Sequence, residues 1–177
     1  MREEAKNTKK LDNKGFSLIE LIIVIAIMAI LIGIVGTQVV PYIEKSKQAK
    51  DQQVLSGYLT SATTAFASNA ELVSEGTPYE FALGPDTGKT KPDAKIIDEF
   101  YELAGLTTST TGAAGATTVT KATLKDITDK MNSKAGKAIT NIVITRDANG
   151  KVTVTTNVTD TKYKDVFDVL SSTWAKY

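Results

Sequence analysis

The chain has 177 residues, room for one globular domain of ordinary size beside a membrane-embedded segment. A formal charge of +1 gives no electrostatic footprint for nucleic acid. With no histidine and no cysteine it builds no Ser-His or Cys-His nucleophile, no His metal cluster and no disulfide, so the composition points away from an enzyme or a cofactor protein.

The first segment carries Arg2, Lys6, Lys9, Lys10 and Lys14 against Glu3, Glu4 and Asp12. It ends in Lys14-Gly15-Phe16-Ser17-Leu18-Ile19-Glu20-Leu21. From Leu21 to Ile43 no charged residue appears, and Leu21 to Val40 is almost wholly aliphatic. About 20 such residues at ~1.5 Å rise cover a ~30 Å hydrocarbon core, so this is a transmembrane helix candidate. A secretory signal is cut after a shorter apolar stretch. Here the small residue, Gly15, precedes the run, and a cut there leaves the apolar helix on the mature chain, with formal charge near −1.

Glu20 is the misfit. A lone carboxylate at the centre of a membrane helix costs about 2.5–3.5 kcal/mol, less near an end, and usually faces a partner. Two readings fit it: a charge partner outside its own helix, or a hydrogen bond to its own helix N-terminus, where the macrodipole also favours an anion.

The run from Lys14 to Leu21, followed by a long aliphatic stretch, resembles the class III signal of type IV prepilins. The narrower likeness is to the major pilin of Gram-positive, clostridial-type type IV pili, which suits a chain without the C-terminal disulfide found in many Gram-negative pilins. The resemblance covers about the first third of the sequence. It implies that a prepilin peptidase cuts between Gly15 and Phe16 and methylates the new amine of Phe16. It further implies that Glu20 of an incoming subunit pairs with the Phe16 amine of a neighbour, favouring the first of the two readings. Implied partners are other pilin copies in a homopolymer, an assembly ATPase and an inner-membrane platform; the implied locations are a single-pass membrane prepilin, then an extracellular pilus. A pseudopilin of a type II secretion or DNA-uptake system shares the same leader and helix and is the alternative.

The expected fold is α+β, a type IV pilin fold: leader 1–15, apolar helix 16–43, and a head 44–177 that includes an amphipathic helix 44–70. Val54, Leu55, Tyr58, Leu59, Ala62, Ala65, Phe66 and Ala70 recur at spacings of three and four, one apolar stripe on a polar helix. A helix from Phe16 to about Asn69 is roughly 80 Å long at ~1.5 Å per residue. Pro41 should kink it, and Gly33 and Gly36 are weak points. Pilins commonly carry a proline inside the apolar segment; position 37 here is Thr.

In the head, a strand is expected at Tyr79–Leu83. Asp93 should cap a helix running to Ala104 and closed by Gly105, with Ile96, Ile97, Phe100, Tyr101 and Leu103 on its apolar face. Thr107–Thr120, small and polar, reads as an exposed loop, either a plain connector or a carrier of glycans. A short helix is expected over Lys121–Asn132. Ile139–Arg146 and Lys151–Val158 flank Asp147-Ala148-Asn149-Gly150, a hairpin expected to pack on the helical stripe. A final amphipathic segment, Tyr163–Ala175, offers Val166, Phe167, Leu170 and Trp174 to the core.

Two motifs fail on inspection. Gly84-Pro85-Asp86-Thr87-Gly88-Lys89-Thr90 has three residues between its glycines where a phosphate loop needs four, and Pro92 interrupts the helix that should follow. Asp147–Gly150 lacks the ligands of a calcium loop, and no metal site is expected. Asn157-Val158-Thr159 fits a glycosylation acceptor, but chance explains a tripeptide inside a strand.

Overall fold

The computed structural model describes residues 15–111, 117–167 and 169–172. Helix α1 runs Leu18–Ser68, and the chain divides at Tyr42/Ile43 into two compact units that share it. In the N-terminal unit every described side chain is exposed. The helix continues through Pro41, whose missing N–H leaves the Thr37 carbonyl without its usual donor. Thr37 meanwhile turns its hydroxyl onto the carbonyls of Gly33 and Ile34, 3.2 Å each, so its own polar group is satisfied inside the helix.

In the second unit, α1 buries Asp51, Leu55, Tyr58, Ala62, Ala65 and Phe66. The expected stripe is therefore real, but it starts earlier, at Asp51, while Val54 and Ala70 stay exposed. Against it lies an antiparallel sheet in the order β1-β4-β5-β6: β1 Tyr79–Ala82, β4 Ile139–Arg146, β5 Val152–Val158 and β6 Leu170–Ser171. Ile142, Ile144, Val152 and Val154 point into one core with the stripe. The β4–β5 turn is the expected one, with Gly150 at φ +87°, and Asp147 Oδ1 accepts from the Asn149 and Lys151 N–H groups.

Helix α2, Ala94–Leu103, begins where Asp93 accepts from the Lys95 N–H at 2.8 Å and ends before Gly105 at φ +65°. Its Phe100 is fully buried and meets Phe81, Tyr101 and Tyr58 edge-on, centroids 5.2, 5.6 and 6.3 Å apart. Each such pair adds about 0.5–1.5 kcal/mol beyond area burial. Leu103, expected on this face, is 48% exposed.

The stretch expected to be a loop is a second sheet. Strands β2 Thr107–Thr111 and β3 Thr117–Lys121 pair antiparallel with Thr107 opposite Lys121. Small polar residues bury little area, but threonine is β-branched, and its stiff χ1 favours the pleated backbone. The helix expected over Lys121–Asn132 is shorter because Lys121 belongs to β3. Thr123 caps α3, Leu124–Asp129, in a capping box with Asp126, and α4 follows over Lys134–Lys137. Over Tyr163–Ala175 the chain makes a 3-10 turn at Thr161–Tyr163, buries Phe167 and adds β6 to the sheet; Trp174 and Ala175 lie outside the described residues. The whole is α+β, a long N-terminal helix with a small antiparallel sheet and head, the type IV pilin-like fold that was expected.

Candidate functional site

The candidate site begins in extended chain. Gly15, Phe16 and Ser17 precede α1, and Phe16 is 92% exposed. A Cβ on Gly15 meets nothing within 4 Å. Glu20 sits in the first turn of α1, exposed, and accepts a hydrogen bond from the Ser17 N–H at 2.8 Å. Ser17 in turn accepts from the Ile19 N–H at 3.4 Å. This is the self-capping geometry weighed from the sequence: while residue 15 is attached, the Phe16 nitrogen is a neutral amide and offers Glu20 no cation. A free α-amine at that position would instead be a cation, since its pKa of about 7.7–8.0 keeps it mostly protonated near neutral pH.

Beyond Glu20 the helix is aliphatic on all sides. Ile22, Ile25, Ile30, Ile32 and Val35 are all about half exposed or more. Among the described residues α1 is the one helix long and apolar enough to cross a membrane.

The sequence reading missed what anchors the head to α1. Asp51 is fully buried, and its carboxylate accepts from the Asn132 N–H (2.8 Å), the Ser133 N–H (2.8 Å), the Ser133 hydroxyl (2.5 Å) and the Asn132 side-chain amide (3.3 Å). Burial pushes this carboxyl upward, but the bonds from Asn132 and Ser133 outweigh it and hold the pKa below the ordinary value. Two helical turns earlier, Glu44 accepts from the Lys134 N–H at 2.6 Å. Ser133, held by Asp51, caps α4 by accepting from the Gly136 N–H at 2.9 Å. Glycine is required there: a Cβ on Gly136 falls 2.5 Å from Asp51 Oδ2 and 2.8 Å from Met131 Cβ. Asp51 lies one turn before Leu55 on the buried stripe of α1.

A second clamp accounts for the failed phosphate-loop likeness. Asn141 accepts from the Gly84 N–H at 3.1 Å and donates to the Pro85 carbonyl at 3.0 Å, fixing this segment as a turn against β4. At the far end of the stripe, buried Asn69 donates to the Ala65 carbonyl at 3.0 Å and to Glu99 of α2. Among the described residues no group of acids is placed to hold a metal ion.

Residues 10–36 match the prokaryotic N-terminal methylation motif. That match spans the leader junction, Glu20 and most of the apolar run. Two fimbrial proteins of Pseudomonas aeruginosa are 33% and 38% identical to the chain over 92 residues, 48% of this chain. The chain spans 60% of the length of these curated relatives. No solved structure matches. The motif and the relatives together support a type IV pilin. Both relatives come from Pseudomonas aeruginosa, so the Gram-positive, clostridial-type likeness draws no support from them.

Proposed function

We propose that this chain is a structural subunit of a type IV pilus, a major pilin and not an enzyme. Prepilin peptidase cuts it between Gly15 and Phe16 and methylates the Phe16 amine; other copies, an assembly ATPase and an inner-membrane platform are its partners. The prepilin spans the cell membrane once, and the product leaves it for a surface filament. Five basic residues in the leader suit a cytoplasmic location for that end, by the positive-inside rule. Freedom from cysteine keeps a Gram-positive major pilin within this proposal.

The observation that carries the reading is Glu20, the single carboxylate at the start of a helix whose described aliphatic faces are all uncovered. Once the cut frees the Phe16 amine, Glu20 of one subunit exchanges its bond to the Ser17 N–H for the cation of a neighbour. This pair sets register; its net stabilisation after desolvation is small. Holding force comes from re-burying the aliphatic surface against other copies, at roughly 25 cal/mol per Å².

The test is Glu20→Ala in the producing cell. The variant should insert and be cut as before, while surface filaments seen by electron microscopy disappear. Normal filaments from this variant reject the pairing. Long fibres that survive deletion of the whole chain reject the major-pilin role in favour of a pseudopilin or minor subunit.

A further inference from the structure

The function proposed above leaves unused a set of lysines that the fold gathers from distant parts of the sequence. Lys45, Lys47 and Lys50 follow directly on the uncharged run, are all exposed, and ion-pair with no described residue. Their directions around α1 differ, 100° per residue, so they surround the helix like a collar. Helix α4 adds Lys134 and Lys137, both exposed, at the same level. It is held there because the Lys134 N–H bonds to Glu44 and the Asn132 and Ser133 N–H groups bond to Asp51. Two acids of this region, Asp51 and Glu44, turn their carboxylates to backbone N–H groups of Asn132, Ser133 and Lys134, and among the described residues none ion-pairs with these lysines.

We propose that the base of the head is a binding surface for anionic phospholipid headgroups, occupied while the subunit waits in the membrane. This rests on the membrane stage of the function proposed above. At ~1.5 Å per residue, Lys45 to Lys50 lie about 3–10 Å beyond Ile43. The polar zone of one leaflet is about 5–8 Å deep, so the ammonium groups, on flexible stems that reach back toward the bilayer, fall at headgroup level. The contribution of α4 is what the fold adds: two cations from more than eighty residues further along the chain are set beside the collar.

The full chain, leader included, is reconstituted into phosphatidylcholine nanodiscs containing a minority of phosphatidylglycerol, and the lipid retained by the protein is read by native mass spectrometry. Each lysine near an anionic surface favours acidic lipid by about fivefold. Retained phosphatidylglycerol should exceed its bulk share, fall at least fivefold in K45Q/K47Q/K50Q, and fall severalfold in K134Q/K137Q. The leader's basic residues are the same in every variant, so the differences report the head alone. Equal retention in wild type and both variants overturns the proposal. So does a loss of chain dimers in the variants at unchanged lipid retention, which assigns the collar to a second copy of this chain. A chain that fails to enter the nanodiscs overturns the membrane stage itself, a result distinct from insertion without lipid preference.

Discussion

Replacing Asp51 by alanine removes the acceptor for two backbone N–H groups, one hydroxyl and one side-chain amide, of which Ser133 N–H and Oγ are buried. Hydrogen bonds to a charged group are worth about 1.5–3 kcal/mol each, and the relief of carboxylate desolvation offsets part of the loss. The expected net destabilisation of the head is about 3–5 kcal/mol, a large share of the ~5–15 kcal/mol that holds a domain together. For a domain of this size it corresponds to roughly 10–25 °C in melting temperature. Asp51→Asn should fall between, since it keeps one oxygen for the Asn132 N–H but turns an NH₂ toward Ser133. The assay is urea unfolding of the detergent-solubilised chain, with amide exchange of Asn132, Ser133 and Gly136 followed in parallel. The sign of the pH effect follows from the depressed pKa. Stability from Asp51 is fully present above the unfolded value of about 3.8 and is lost only as pH falls through the lower folded value. Wild type should therefore show an acid-side slope below about pH 4 that Asp51→Asn partly lacks. An alanine variant within about 1 kcal/mol of wild type, with unchanged exchange at Asn132 and Ser133, refutes the anchoring role.

Gly136→Ala drives a methyl into Asp51 and Met131 and should cost about 1–3 kcal/mol in the same unfolding assay. Thr123→Ala removes the hydroxyl half of the α3 capping box and should cost about 1 kcal/mol, with faster amide exchange at Asp126, whose N–H it accepts. Ile30→Asp places a charge in the apolar run, where Ile30 is 65% exposed. At about 2.5–3.5 kcal/mol against membrane insertion, and with no counter-charge along the run, it should abolish surface filaments on microscopy.

Legibility followed the range over which each interaction acts. The apolar run, the stripe from Leu55 to Phe66, the Asp93 cap and the Asp147–Gly150 turn are local patterns, and each is found in the structure where the sequence placed it. Asp51 was not legible, because in Glu44-Lys45-Ser46-Lys47-Gln48-Ala49-Lys50-Asp51 it looks like one more solvated charge. Its donors lie 81 and 82 residues away and come together only when α3 and α4 pack on α1. Asn141 and Asn69 were hidden for the same reason. The paired strands Thr107–Thr111 and Thr117–Lys121 differ from the loop expected from composition: few apolar atoms argue for a loop, while the density of β-branched threonine argues for strands and is the better guide. At Glu20 the sequence left two partners open. The intact chain displays the hydrogen bond to its own Ser17, and the pairing with a neighbour's amine requires the cut that creates it.

The most direct test is the mass of the N-terminal peptide from filaments sheared off living cells. A chain that begins at Phe16 and carries one added methyl on its amine is the expected result. Assembled filaments in which Met1 to Gly15 are still joined to Phe16 contradict it, since Glu20 then has no neighbouring amine to meet.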